Sequence, residues 1–173
     1  DSGIYGPQYE QIVANMETVA GGSNGFATVI NYGSTLEGRT MAMIKLGSPT
    51  SSAAKRPAVV ITGAIHGDEF LDVAHKLPEH FLSQRDSGPV GDFFKAGGII
   101  YVAPILNPDG YDARQRGNQR GTDLNRDFPL QKQNHQGLSN PETIGLAKAL
   151  REEVDNKNVK LAFTLDYHCC QGS

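Results

Sequence analysis

The chain has 173 residues, 38% of them hydrophobic and 20% charged, which are proportions typical of one globular domain. Its formal net charge of −3 excludes a general basic surface, so neither nucleic acid nor membrane is predicted as a partner. No apolar run approaches the ~20 residues that a membrane-spanning helix needs.

The first part of the chain predicts a helix followed by a hairpin. Apolar residues recur at helical spacing over 9–19, after Pro7 and before the glycine-rich "GGSNG". The runs "FATVINYG" and "RTMAMIKLG" have the composition of strands and flank the turn-like "STLEG". Glu37 and Arg39 lie in this turn and are interpreted as structural residues, whose opposite charges attract each other and hold the turn together.

The rest of the chain alternates strands with helices. Continuous apolar runs at 58–65, 97–106 and 161–168 predict buried strands. The segment "DEFLDVAHKLPEHFLSQ" predicts a helix kinked at Pro78, and "PETIGLAKALREEVDN" predicts a helix capped by Asn140. This order predicts an α/β fold: a mixed, mostly parallel central sheet with helices on both faces and an N-terminal hairpin.

Two further features concern completeness and irregular structure. The last apolar run should form a central strand, yet no helix follows to cover it. We therefore expect residues 1–173 to be a single domain that is incomplete at its C-terminus.

The polar segment 107–141 is predicted to be irregular, with "NPDG" as a turn, and irregular segments of that length are often functional.

Two histidines and a glutamate are the candidate metal ligands. His66 follows the strand 58–65, Glu69 lies three residues later, and His168 ends the last strand. Ligands of open α/β sheets bind beyond the carboxyl ends of the strands, so these side chains should share one space. A His₂Glu set is a known arrangement of catalytic zinc. His75 and His80 are expected on a helix surface, and His135 has no assigned role.

The irregular segment concentrates positive charge beside this proposed metal. It contains the four arginines Arg114, Arg116, Arg120 and Arg126. Asn125 directly precedes the last of them. Guanidinium binds carboxylates bidentately, and an asparagine adds an N–H donor. The segment therefore predicts an anion site, with a further arginine able to stabilise an oxyanion near the metal.

The motifs "HGDE", "NPDGY", "RGN", "GTDLNRDF" and a later "DYH" occur in the order found in zinc metallocarboxypeptidases. With "YGSTLEGRTM", the chain resembles this family from about Gly33 to His168, and it is most similar to short microbial members. Those members include carboxypeptidases and amidases that cut murein peptides. The resemblance implies a phosphorylase/hydrolase-like carboxypeptidase fold and one Zn²⁺ per chain.

The resemblance also implies roles for individual residues. It implies that His66, Glu69 and His168 bind zinc and that Arg116 polarises the scissile carbonyl. It implies that Asn125 and Arg126 hold the substrate's terminal carboxylate. Asp123 matches the acid that hydrogen-bonds to a ligand histidine, here His66, and Asp166 is a further candidate for such a role.

The sequence departs from the family pattern in two ways. The family's general-base glutamate, its substrate-covering tyrosine and its specificity pocket lie downstream of the third ligand, so no residue in this chain is assigned those roles. Cys169 follows His168 where the family more often has a small hydroxyl residue, and its thiol is a candidate for contact with the metal. The adjacent Cys169 and Cys170 favour reduced thiols and a cytoplasmic location over a periplasmic or secreted one.

The predicted function is a zinc-dependent carboxypeptidase that hydrolyses a C-terminal bond of a peptide or murein-type peptide. Two alternatives stay open. One is a zinc-dependent deacylase of N-acyl amino acids, similar to aspartoacylase or succinylglutamate desuccinylase. The other is a zinc- and peptide-binding domain with impaired catalysis.

Overall fold

The computed structural model describes residues 6–50, 55–129, 137–156 and 158–168. Two 3₁₀ helices, Ala74–Lys76 and Leu124–Arg126, accompany five helices and five strands in these ranges. In chain order the larger elements are α1 Tyr9–Gly21, β1 Ala27–Ser34, β2 Thr40–Leu46, β3 Arg56–Gly63, α2 Leu77–Ser83, α3 Gly88–Lys95, β4 Ile99–Ala103, α4 Pro108–Ala113, α5 Pro141–Asn156 and β5 Val159–Tyr167. In this part of the chain, no helix has both the length and the apolar character to cross a bilayer.

The five strands form one mixed sheet in the order β1-β2-β4-β3-β5. The pairs β1–β2 and β2–β4 are antiparallel, whereas β4–β3 and β3–β5 are parallel. The α/β class and the N-terminal hairpin are thereby confirmed. Among the described residues β5 lies at one lateral edge of the sheet and exposes Leu161, Phe163 and Leu165, so the central position expected for this strand stays a prediction. An apolar run indicates a strand, but it does not encode how many neighbours that strand pairs with.

Helices cover both faces of the sheet, as the sequence predicted. Successive side chains of a strand point to opposite faces, so alternate residues of β2 and β4 enter two different cores. One core joins the sheet to α1, α2 and α3 and includes Met16, Ile44, Phe94 and Val102. The other joins the sheet to α5 and includes Met43, Val60, Tyr101 and Leu146.

The predicted helix over 68–84 is largely wrong. Residues 68–73 form turns, the first 3₁₀ helix follows, and α2 begins only at Leu77. Pro78 lies in the first turn of α2, where its missing N–H costs no hydrogen bond, so it starts this helix instead of kinking a longer one. Glu69 consequently lies on a turn between β3 and α2.

The described part of the segment 107–141 contains more regular structure than predicted. "NPDG" opens α4, because the Asn107 side chain accepts a hydrogen bond from the Gly110 backbone N–H at 2.9 Å. Leu124–Arg126 forms the second 3₁₀ helix. His135 lies outside the described residues.

Arg39 connects the hairpin turn to α4. It contacts Glu37, as predicted, and it also pairs with Asp109 at 2.8 Å and with Asp112 at 2.6 Å. Thr35 Oγ1 donates to the same Asp109 carboxylate at 2.7 Å. The turn is therefore held to α4 by a charge network and not by its own charges alone.

Asp127 anchors the start of α5. Its carboxylate accepts hydrogen bonds from both the backbone and the side chain of Ser139, both the backbone and the side chain of Asn140, and the Thr143 hydroxyl. Burial opposes ionisation, but these donors outweigh it and lower the pKa of Asp127 to about 2. The negative charge also lies at a helix N-terminus, where the helix dipole favours it.

Replacing Asp127 by asparagine is expected to destabilise the fold at neutral pH. The amide cannot accept from every donor that now binds the carboxylate, so the Asp127→Asn variant should lose roughly 2 kcal/mol of unfolding free energy at pH 7. Because the folded-state pKa lies below the usual 3.8, the ionised carboxylate stabilises the fold above pH 3.8. That stabilisation disappears as the pH falls through about 2, so the difference between the proteins should shrink in that window.

Urea unfolding at several pH values measures this difference. Asp86→Asn is the matched control, because that side chain is 87% exposed. Equal stability of Asp127→Asn and the parent chain at pH 7 would show that the Asp127 network contributes nothing.

Candidate metal centre

The two histidines meet because their strands are parallel neighbours. Gly63 at the end of β3 pairs with Tyr167 at the end of β5, so both strands end on the same side of the sheet, at the carboxyl ends of its parallel strands. His66 and His168 follow within a few residues, and their rings lie 5.1 Å apart between centroids. This edge is where open α/β sheets bind ligands.

The chain between β3 and Glu69 turns sharply and packs closely. Ala64 adopts a left-handed conformation with φ 46°, which an alanine takes only at an energetic cost. Gly67 packs against α4, and a Cβ there would lie 2.0 Å from the Gly110 carbonyl carbon. Glu69 N–H then donates to the His66 carbonyl at 3.1 Å, which turns the glutamate back toward the histidine. Close approach to α4 therefore explains the glycine at position 67.

The three predicted ligands form a compact group. The Glu69 carboxylate lies between the histidines, with Oε1 3.1 Å from His66 Nδ1 and Oε2 3.2 Å from His168 Nδ1. One ligand atom from each residue lies within 4.8 Å of the others. In a tetrahedral zinc site with bonds of about 2.0–2.1 Å, ligand atoms are separated by roughly 3.4 Å. The donor set and its spacing therefore fit zinc.

The hydrogen bonding of His66 supports this fit. Its Nε2 lies 2.9 Å from Asp123 Oδ1, and because a carboxylate only accepts, Nε2 carries the proton in the neutral ring. The buried Nδ1 then presents a lone pair toward Glu69, and it has no hydrogen-bond partner among the described residues. Two acceptors that face each other favour a cation between them.

Glu69 itself is suited to bind a cation. Burial opposes its ionisation, but positive charge on the neighbouring His66 and His168, whether it comes from protons or from a shared cation, outweighs burial and lowers the pKa of the Glu69 carboxyl. The carboxylate is therefore ionised at neutral pH.

Each histidine is oriented by its own aspartate. Asp123 contacts His66, and Asp166 Oδ2 lies 2.6 Å from His168 Nε2. Thr62 Oγ1 donates to the other Asp166 oxygen at 2.7 Å, which fixes that carboxylate on the sheet. Both aspartates thus lie where carboxylates orient the histidine ligands of metals.

Arg116 lies at the edge of this group. Its Nη1 donates to Glu69 Oε1 at 2.9 Å, and its Nε and Nη2 donate to Asp123 Oδ2 at 3.2 and 3.0 Å. Burial acts against ionisation of Asp123, but His66 and Arg116 together lower the pKa of its carboxyl. One guanidinium therefore connects a predicted ligand to a predicted orienting residue.

The predicted carboxylate-binding pair lies next to the same aspartate. Asp123 Oδ1, which contacts His66, also accepts from the Asn125 backbone N–H at 3.0 Å. Arg126 is exposed, and its guanidinium donates to the Asn125 carbonyl at 3.3 Å. The second 3₁₀ helix thus begins at the metal group and presents Arg126 to solvent.

Other predicted residues lie elsewhere. Cys169 is outside the described residues, so its proposed contact with the metal stays a prediction. His80 is exposed on α2, as expected. His75 is not on a surface: its side chain is 7% exposed, contacts Asp72 and packs beside the Phe70 ring, because the local chain is a 3₁₀ turn folded inward.

Comparison with known proteins identifies the family. The family model described as zinc carboxypeptidase matches residues 12–169, and the chain belongs to that family. Carboxypeptidase SOL1 of Arabidopsis thaliana is 28% identical over 127 residues, which are 70% of this chain and 26% of that protein. Carboxypeptidase D of Mus musculus is 30% identical over 145 residues, covering 65% of this chain and 10% of that protein.

Solved structures show the same fold. Thrombin activatable fibrinolysis inhibitor has a TM-score of 0.76 at 20% identity, over 92% of this chain and 46% of that one. A metallo-carboxypeptidase from Burkholderia cenocepacia has a TM-score of 0.71 at 22% identity, over 92% of this chain and 40% of that one. The chain therefore spans less than half of these proteins. The relatives favour the carboxypeptidase family over the deacylase alternative, and the family confirms zinc as the cofactor.

Zinc binding should depend on His66. We expect about one zinc per chain after dialysis, and we expect His66→Ala to abolish stoichiometric binding because it removes a ligand atom. Elemental analysis and calorimetric titration measure this. His80→Ala, which removes an exposed imidazole on α2, is the control and should bind zinc like the parent chain. Tight zinc retention by His66→Ala would refute the assignment.

Proposed function

We propose that the protein is a zinc-dependent carboxypeptidase and that this chain supplies its metal ligands and its grip on the substrate carboxylate. The observation that carries the proposal is that the Asp123 carboxylate contacts two parts of the site at once. It contacts the ligand His66 and the start of the Asn125–Arg126 segment through the same oxygen. The metal group and the carboxylate-binding pair are thereby held at a fixed separation.

The chain's residues divide the chemistry between them. His66, Glu69 and His168 would hold the metal, with Asp123 and Asp166 fixing the two rings. Zinc, when bound, supplies a Lewis acid that polarises a peptide carbonyl and lowers the pKa of water. This open His₂Glu arrangement leaves a fourth position for chemistry.

Arg116 is placed to stabilise developing negative charge. Three of its N–H groups bind Glu69 and Asp123, and a guanidinium has five. The other two donors are available for a carbonyl oxygen that acquires charge during attack. Because both contacts of Arg116 are to ionised carboxylates, the guanidinium is oriented before substrate arrives, which is the condition for effective electrostatic catalysis.

Asn125 and Arg126 would select the end of the substrate. An exposed guanidinium at the edge of the metal group attracts a free carboxylate and forms a bidentate pair with it. A peptide held in this way would present its last peptide bond, and not an internal one, to the group formed by His66, Glu69 and His168. The same grip would suit the free carboxylate of a murein-type peptide.

The activity of the whole protein is part of the proposal. No residue of the chain is assigned as the general base, and the curated relatives extend well beyond the matched region. We also propose that residues 1–173 belong to a single zinc peptidase domain and that the protein acts in the cytoplasm, the latter because reduced thiols are favoured at Cys169 and Cys170.

The zinc-loaded protein should discriminate between a peptide acid and the corresponding peptide amide. Anisotropy of an N-terminally labelled peptide should show the acid binding roughly 30- to 1,000-fold more tightly, as expected for a charge pair worth about 2–4 kcal/mol. Arg126→Ala should reduce binding of the acid to the level of the amide. Arg151→Ala, which removes an exposed arginine near the other end of α5, is the matched control.

Equal binding of acid and amide by the parent chain would contradict the carboxylate grip. The reaction is tested separately by incubating peptides and N-acyl amino acids with the protein and identifying the released amino acid by mass spectrometry. Turnover of N-acyl amino acids alone would reject the peptidase. Selective binding of the peptide acid without turnover would favour the catalytically impaired binding domain.

A further inference from the structure

Asn118 occupies the centre of the loop that carries Arg116 and Asp123. It is fully buried, although it belongs to a polar stretch of sequence and lies outside any helix or strand. We propose that Asn118 is the positioning residue of the metal centre and holds this loop, residues 116–123, in the shape that brings Arg116 and Asp123 against the ligands. The inference rests on the proposed metal site.

Every hydrogen-bonding position of the Asn118 amide is used. Its Oδ1 accepts from the backbone N–H groups of Arg120 and Thr122 at 3.0 and 3.1 Å. Its Nδ2 donates to Asn140 Oδ1 at 3.0 Å and to Glu142 Oε2 at 3.3 Å. Only an amide of this length offers two acceptor positions and two donors at one point, so no other side chain can replace all four bonds.

The backbone of Asn118 closes the loop as well. Its N–H donates to the Thr122 carbonyl at 3.0 Å, and its carbonyl accepts from Gly121 N–H at 2.8 Å. Gly121 has φ 72°, a left-handed conformation that glycine adopts without cost. Residues 118–122 therefore form a tight turn built around the asparagine, and Arg116 and Asp123 extend from its two sides.

The other side of the amide is attached to a rigid support. Asn140 and Glu142 lie at the start of α5 and are both buried, and Asp127 fixes the same helix end through Asn140. α5 packs on the sheet through Leu146 and Ala149. Asn118 thus transmits the position of α5 to the loop, and Glu142 contributes by anchoring Asn118 without contacting any predicted ligand.

The shape of the loop affects the metal centre because Arg116 and Asp123, at its two ends, contact the predicted ligands. Arg116 and Asp123 bind each other, and Asp123 contacts His66 Nε2. If the turn loosens, Asp123 no longer holds the imidazole in the orientation and tautomer that leave Nδ1 for the metal. Loss of such an orienting carboxylate typically costs 10- to 100-fold in metal affinity.

We expect Asn118→Ala to lower zinc affinity 10- to 100-fold in a calorimetric titration while the protein stays folded by circular dichroism. Because Asn118 acts through Asp123, the double variant Asn118→Ala/Asp123→Ala should bind zinc as weakly as Asp123→Ala alone. Multiplicative losses in the double variant would overturn the proposal, as would unchanged affinity in Asn118→Ala.

Tyr101→Phe is the control for a merely structural effect. It removes a hydrogen bond between a core tyrosine and Glu153, so it should lower the urea midpoint and leave zinc affinity unchanged. An equal fall in zinc affinity in Tyr101→Phe would show that general destabilisation explains the result.

A second pair of variants applies if Asn118→Ala does not fold. Glu142→Gln keeps an acceptor for Asn118 Nδ2 and should retain zinc affinity, whereas Glu142→Ala should lower it. Equal zinc affinity of the two Glu142 variants would overturn the proposal. Failure of the parent chain to bind zinc would instead refute the proposed metal site, so the two outcomes are distinguishable.

Discussion

The carboxylate of Asp123 is the contact on which the candidate site depends. Its Oδ1 binds the imidazole of His66 and caps the 3₁₀ helix that presents Asn125 and Arg126, while its Oδ2 binds Arg116. The predicted ligand His66, the predicted oxyanion donor Arg116 and the predicted carboxylate-binding segment therefore all contact this one carboxylate. A single carboxylate can do this because each oxygen accepts more than one hydrogen bond and the negative charge attracts both cationic partners. Its position consequently determines the separation between His66 and the Asn125–Arg126 segment.

The sheet supplies the other fixed reference. Because β3 and β5 are parallel neighbours in register, His66 and His168 both follow the carboxyl ends of their strands and lie close together. Thr62 on β3 binds Asp166 on β5, so the contact that orients His168 also crosses between the two strands. The cost of this arrangement is concentrated in the connection after β3, where Ala64 has a left-handed conformation and Gly67 packs against α4. That connection explains why the glutamate returns toward the metal from a turn and not from a helix.

Periodicity and residue chemistry were enough to predict much of this arrangement. Apolar runs located β3, β4 and β5, helical spacing located α1, start signals at Asn140 and Pro141 located α5, and the ends of the strands indicated where His66 and His168 lie. The helix predicted over 68–84 was largely wrong because its apolar spacing carries no information on the close packing of Gly67 against Gly110 and of Ala74 against Gly63. Neither the pairing of β5 among the described residues nor the burial of His75 is encoded by a local pattern of apolar residues. Asn118 was visible as part of "RGN", but its role depends on α5, whose start lies more than 20 residues further along the chain.

The hydrogen bonds of Asn118 show how a segment with little regular structure can hold a defined shape among the described residues. Helices and strands fix their residues through repeated backbone hydrogen bonds, and the segment after β4 has few of these. It is fixed instead by buried side chains that bind backbone groups: Asn107 caps α4, Asn118 closes the loop, and Asp127 binds the start of α5. Each such group is costly to bury unless all its bonds are made, so a partly formed loop is disfavoured relative to the complete one. The same requirement that makes these polar residues costly to bury favours one conformation of the loop, and that conformation places Arg116 against Glu69 and Asp123 against His66.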